Sequence, residues 1–366
     1  MVDSHIGFRK IRRKRIVVPN LEKIKFEKST QEAKLKSPLD DFRPVSQTIE
    51  VRKDPLTGKT CRINVNRARR PKSASAKSIE LDNLIKDSRT KCSFCPENIE
   101  KSTPMFADGL PDRIRVNKSW LFPNLFPFGR FHAVGVFSEE HYLEIDEFTP
   151  KLIKDCLTTC LKYFELVHSK HADIRYWHIN WNYMPPGAAS LIHPHVQIFA
   201  DSEPTPHLQK LIESSRIYHK ASGDNFWSEL VKAEKKCGER FIGETNTVNW
   251  FTSFAPQGNR EVIAVFNDIS SIADLSKQGL TDFCAGLSLV LKGYHELGVH
   301  SLNMTTLSGP CDEDLSEFYF LNARLISRPN PTPFYTSDNG FMEKFHGEPI
   351  IEIMPEILAE NLRKYF

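Results

Sequence analysis

Residues 190–200, SLIHPHVQIFA, depart from a plain apolar run because polar side chains recur at every second position. Along an extended strand, residues i, i+2 and i+4 share a face. His193, His195 and Gln197 then point one way, and Pro194, Val196 and Ile198 point the other. IRYWHINWNY at 174–183 reads as a second strand, and the PPG turn between them makes the two antiparallel neighbours. Upstream, Ile153, Cys156, Leu157, Cys160, Phe164 and Val167 recur at helical spacing and predict a helix over 149–170.

This order of elements occurs twice. FPFGRFHAVGVF at 126–137 aligns without gaps on APQGNREVIAVF at 255–266, sharing Pro127 with Pro256, Gly129 with Gly258, Val136 with Val265 and Phe137 with Phe266. A helix over about 279–296 follows the second copy, with Leu280, Phe283, Leu287, Val290 and Leu291 on its stripe. Then come a strand SLNMTTLS, a loop GPCDED and a strand FYFLNARLIS. The prediction is an α+β fold made of a duplicated module, with antiparallel sheets and packed helices. The expected division is an N-terminal arm over 1–44, a first module over 45–205, a helix-rich connection over 206–239 and a second module over 240–366. Where the first copy has His193 and His195, the second has approximately Tyr319 and Leu321, so one site per chain is expected.

Composition narrows the class without naming it. With 366 residues, 40% hydrophobic and 26% charged, the chain has the balance of a globular protein, and a net charge of +3 says little about partners. RKIRRKR at 9–15 concentrates positive charge in the arm. It is read as a solvated segment rather than a nucleic-acid or lipid contact. No stretch approaches the roughly 20 apolar residues of a membrane span, and no apolar signal core opens the chain, so a cytoplasmic location is expected.

The eight cysteines do not suggest a disulfide framework. Cys156 and Cys160 belong to the helix stripe. Cys92 and Cys95 form a C-x-x-C knuckle, which implies either a metal or a redox dithiol. No second such pair exists, so further ligands must be histidines, with His193 the natural first. His132, His141, His168, His171 and His178 are available for the second, and His141 is favoured because it sits in a loop just past a strand. Such a Cys2His2 set selects zinc. His195 then stands free as a neutral imidazole, a nucleophile suited to phosphorus once its tautomer is fixed. Gln197 could hold a phosphoryl oxygen as charge develops.

In these residues the chain resembles the galactose-1-phosphate uridylyltransferase family, a nucleotidyl-transferring branch of the histidine-triad superfamily. The motifs recur in order: RKDPLTG at 52–58, NRARRPK at 66–72, CSFCPEN at 92–98, NLFPFG at 124–129, FSEEH at 137–141, ASLIHPHVQIFA at 189–200 and MPEILAENLR near the end. The resemblance spans residues 45 to 366. It implies a structural zinc on Cys92, Cys95, His141 and His193, and attack by His195 on the α-phosphorus of a sugar nucleotide. Gln197 and Ser190 would contact the transferred phosphoryl, Arg67 and Arg70 would neutralise the phosphates, Phe122 and Asn124 would frame base and ribose, and Asn182 would lie near the phosphates. A hexose 1-phosphate would take the nucleotide in a ping-pong cycle. The alternatives are transfer to phosphate, as in a nucleoside diphosphate-sugar phosphorylase, or a silent nucleotide-binding homologue. A homodimer is compatible with all three.

Departures from the family pattern are confined to a few positions. NYMPPGAAS places Met184 and Ala188 where glycines let backbone approach phosphate, and Pro185 and Pro186 stiffen the loop. Val196 replaces a small residue beside the nucleophile. FYFLN lacks the histidines of a second metal site, so none is expected. ISRPNPTPF at 326–334 is a candidate lip, where Arg324 and Arg328 could meet an anionic acceptor.

Overall fold

The computed structural model describes residues 23–70, 81–107, 109–332 and 336–366. The cationic run at 9–15, the end of the NRARRPK motif and residues 333–335 of the lip lie outside the described residues.

The chain opens with a long hairpin, β1 (Lys28–Ser37) and β2 (Arg43–Lys53), extended by β3 (Thr60–Ile63). Next come α1 (Leu81–Arg89), the short α2 (Ile99–Ser102), β4 (Ile114–Val116), β5 (Ser119–Pro123), β6 (Phe131–Val136), α3 (Pro150–Lys170), β7 (Tyr176–Tyr183) and β8 (His195–Asp201). Two helices, α4 (Pro206–Ser222) and α5 (Phe226–Cys237), lead to β9 (Phe241–Thr245), β10 (Val248–Thr252), β11 (Val262–Phe266), α6 (Lys277–Glu296), β12 (Leu302–Leu307) and β13 (Asn322–Ser327). The chain closes with β14 (Ile350–Ile351) and α7 (Pro355–Arg363).

The main sheet has ten strands in the order β4-β5-β6-β8-β7-β12-β13-β11-β10-β9. Read inward from each edge, the two halves have the same order, which is the expected duplication, and β7 and β12 pair antiparallel at the seam. The strands form because their side chains alternate. Trp181, Ile179, Val196 and Ile198 face α3 and α6 in one apolar cluster that holds both helix stripes. Each of these helices starts on a hydroxyl cap: Thr149 accepts from the Leu152 N–H and Ser276 from the Gly279 N–H. The other face carries His195, Gln197, Asn180, Asn182, Asn303, Thr305 and Arg324 in adjacent registers across the seam.

Register corrects one expectation. His195 lies opposite Val136, and the repeat maps Val136 onto Val265, whose partner is Asn322. The counterparts of His195 and His193 are therefore Asn322 and Phe320, one residue beyond the expected Leu321 and Tyr319. A slip of one residue moves a side chain to the opposite face.

A small sheet, β1-β2-β3-β14, is fixed to the second half by ions. Arg52, 1% exposed, pairs with Glu50 and gives two hydrogen bonds to Glu356 on α7, at 2.7 and 3.1 Å. Glu356 also accepts from Arg240 at 3.2 Å, and Arg240 pairs with the buried Glu234 at 3.1 Å. Among the described residues, no helix is long and apolar enough to cross a membrane. Removing one partner of a buried pair strands the other's charge, so Arg52→Ala is expected to lower stability by roughly 3–5 kcal/mol in urea unfolding. A loss below about 1 kcal/mol would mean that the network behaves as a surface ion pair.

Candidate active site and metal centre

The four residues expected to ligate a metal come together. One ligand atom from each of Cys92, Cys95, His141 and His193 lies within 4.8 Å of the others, and all four residues are buried. His193 Nδ1 is 3.7 Å from both sulfurs, and His141 Nδ1 is 3.3 Å from Cys95 Sγ. A tetrahedral ion with bonds of about 2.1–2.3 Å puts sulfur and nitrogen ligands roughly 3.6 Å apart, so the group fits one.

Neighbouring acceptors fix both rings. His193 Nε2 lies 2.9 Å from the Ser138 carbonyl, which can only accept, so Nδ1 keeps its lone pair for the sulfur side. Ser88 gives its hydroxyl hydrogen to Ile85 O and so accepts from His141 Nε2 at 2.8 Å, orienting the second ring the same way. Burial lowers the pKa of His193 to about 4 and raises that of Cys95, the latter helped by the neighbouring Cys92 thiol. The imidazole thus stays neutral, while a thiolate here calls for a cation. A redox-active thiol instead has a lowered pKa.

His195 sits two residues beyond, at the start of β8. Its Nδ1 is 2.8 Å from the carbonyl of His193. That carbonyl accepts, so Nδ1 carries the hydrogen and Nε2 the lone pair. Burial also shifts the His195 pKa downward and keeps the ring neutral. The ring of Phe94, from inside the C-x-x-C knuckle, packs edge-on against His195 at 5.4 Å and contacts Phe122 at 5.3 Å. Knuckle, metal ligands and free imidazole therefore form one packed unit. Val196 turns to the helix side, where it meets Gly135: a Cβ on that glycine would lie 3.0 Å from Val196 Cγ2. The larger residue beside His195 is accommodated away from the site.

The remaining expected residues divide into two groups. Gln197 and Asn124 meet at His132, whose Nε2 lies 3.2 Å from Gln197 Oε1 and 3.2 Å from Asn124 Nδ2. Asn182 accepts from Asn303 at 2.7 Å, and Asn303 in turn accepts from Arg328 at 2.7 Å. Ser190 is exposed in the loop before His193. Arg67 and Arg70 line cavities with Asn259, Asp338 and Glu352, and none of the histidine-strand residues lines those cavities. Arg324 pairs inward with Glu261 at 3.1 Å, whereas Arg328 is held by both oxygens of Asp338 and reaches the seam. Sequence reasoning missed Ser88, Phe94 and Asn303, and passed over His132. Only spacing inside the knuckle hinted at Phe94; the others are joined to the site by folding alone.

The altered loop keeps the conformation that glycine would favour. Met184 and Ala188 have φ of 64° and 68°. Gly187, between them, approaches β12 so closely that a Cβ would lie 2.6 Å from the Leu302 carbonyl. The path of the loop is thus maintained against backbone strain at two residues.

Comparison with known proteins bears out the resemblance at the level of fold. No family model matches the chain. An uncharacterized protein of Archaeoglobus fulgidus is 26% identical over 343 residues, covering 93% of this chain and 98% of that protein. ADP-glucose phosphorylase of Arabidopsis thaliana is 25% identical over 201 residues, covering 49% of this chain and 56% of that enzyme. Among solved structures, an ADP-glucose phosphorylase from Arabidopsis thaliana with bound ADP-glucose superposes with TM-score 0.67 at 19% identity, over 86% of this chain and 99% of that one. A uridylyltransferase superposes with TM-score 0.63 at 17% identity, over 86% of this chain and 97% of that one. The fold is the one these ADP-glucose phosphorylase and uridylyltransferase structures share.

Strain at Ala188 has a measurable consequence. Ala188→Gly is expected to raise stability by about 1 kcal/mol, since the left-handed region costs an L-residue roughly 1–2 kcal/mol. An unfolding titration with a lower midpoint than the parent would show that the strain is absent.

Proposed function

We propose that the chain is a nucleotidyltransferase that takes the nucleotide from a sugar nucleotide onto His195 and passes it to a hexose 1-phosphate. The carrying observation is the His195 tautomer: Nδ1–H bound to the His193 carbonyl at 2.8 Å, with the lone pair on Nε2. In the first half-reaction Nε2 attacks the α-phosphorus, the N–P bond forms, and the sugar 1-phosphate leaves with the bond pair. In the second, an acceptor phosphate oxygen attacks the same phosphorus and the N–P bond breaks. Gln197 would donate to a non-bridging oxygen as negative charge builds. Phe122 and Asn124 would meet the nucleoside, and Asn182 and Ser190 the phosphates.

In this reading Cys92, Cys95, His141 and His193 hold zinc. Two thiolates and two imidazoles leave no open position, so the ion's contribution is to fix the strand on which His195 stands.

An anionic acceptor is supported by four arginines. Arg67, Arg70, Arg260 and Arg328 border adjoining cavities of about 450 and 320 Å³. Nε of Arg67, Arg70 and Arg260, and the Thr332 hydroxyl, are buried there without hydrogen-bond partners. Arg70 is paired with Glu352 at 3.3 Å and Arg328 with Asp338 at 2.7 Å, so an anionic ligand here would share guanidinium groups with these carboxylates. Phosphate itself as acceptor is the second reading, favoured by the likeness to ADP-glucose phosphorylase.

A donor panel separates the readings. UDP-, GDP- and ADP-sugars are offered with hexose 1-phosphate or with inorganic phosphate, and released products are followed. Exchange with hexose 1-phosphate and parallel-line kinetics are expected; turnover with phosphate alone would favour the second reading, and no turnover with any pair would leave a silent binding protein. Zinc should be found at about one equivalent per chain and fall severalfold in Cys92→Ser. Wild-type zinc near zero would contradict the metal assignment.

A further inference from the structure

We propose that His132 is a positioning residue that orients the Gln197 carboxamide and couples it to the nucleoside-side loop. The inference rests on the nucleotidyl-transfer reading. His132 lies on β6, 4% exposed, with its ring 3.9 Å from that of Phe128. The Phe128 N–H points at Nδ1 at 3.4 Å, which favours the tautomer with the lone pair on Nδ1 and the hydrogen on Nε2. Nε2–H then donates to Gln197 Oε1 at 3.2 Å. With its oxygen so engaged, Gln197 is left with its NH2 group for a phosphoryl oxygen, the end of the amide that stabilises developing negative charge. A free glutamine would sample both orientations, one of which turns a carbonyl oxygen toward the phosphate.

Coupling to the loop follows from a competition. Asn124 Oδ1 accepts the Phe126 N–H at 2.9 Å, so its NH2 faces the same His132 Nε2 at 3.2 Å. One ring nitrogen cannot donate to Gln197 and accept from Asn124 together. A nucleoside that takes the Asn124 amide removes the rival and commits Nε2 to Gln197. Burial lowers the pKa of His132, which keeps the ring neutral while both choices remain open to it. Phe126 and Phe128 are 84% and 69% exposed on this loop, surface that a bound nucleoside would cover.

The test is single-turnover labelling of the full-length, metal-loaded chain, using the sugar nucleotide that labels wild type. His132→Phe keeps the ring and its packing but removes the donor. It is expected to slow label transfer to His195 by about 10- to 100-fold, within the range for loss of one oxyanion contact, with zinc content and melting temperature unchanged. His132→Gln places an N–H near the lost Nε2 and is expected to recover most of the rate. In Gln197→Ala the His132→Phe change should have no added effect, because the two act as a unit. Wild-type labelling by His132→Phe, or losses that multiply in the double variant, would overturn the proposal alone. A wild type that no sugar nucleotide labels would remove the nucleotidyl-transfer reading, and this proposal with it.

Discussion

One hydrogen bond, from His195 Nδ1 to the carbonyl of His193 two residues back, governs what the site can do. It decides which nitrogen holds the lone pair, and it is only as steady as the peptide that supplies the oxygen. That peptide belongs to a residue whose ring is gripped on one side by two sulfurs and on the other by the Ser138 carbonyl. A metal held in such a place would orient more than it stabilises. The knuckle adds Phe94, so the element that supplies the thiols also packs the His195 ring. Metal group and imidazole are mechanically one object.

The duplicated sheet explains why a half without a counterpart of His193 and His195 is retained. At the seam, Asn182 meets Asn303 and Asn180 meets Thr305, so half of the polar floor beside His195 comes from the second copy. Arg328 reaches this floor through Asn303. Among its described residues the second half has no counterpart of the Cys2His2 group but supplies polar side chains to the face that carries His195. Arg52 and Glu356 bind the N-terminal sheet to that same half.

Much of this was legible in the chain. The two helix stripes and the alternation through His193, His195 and Gln197 are periodic signals, and periodicity survives into structure because burial enforces it. That the C-x-x-C knuckle, His141 and His193 would come together was legible in their residue types. The exact counterpart of His195 was not, because an ungapped alignment cannot see the one-residue change of register before β13. Arg67 and Arg70 gave a motif without a location, since the cavities they line and the Glu352 that pairs with Arg70 at 3.3 Å come from residues far along the chain. Met184 and Ala188 looked like losses of glycine, yet the loop holds their backbone at positive φ. Ser88 and His132 carry no local signature, as the contacts that join them to the site, with His141 and Gln197, span more than fifty residues of sequence.

The most direct measurement is intact-mass and peptide-mapping spectrometry of the protein after brief exposure to a sugar nucleotide, quenched at alkaline pH. A mass increase equal to one nucleoside monophosphate less one water, acid-labile and mapped to His195, is the predicted result. The same increase on another residue, or none in a metal-replete protein that nevertheless turns over sugar nucleotide, would contradict it.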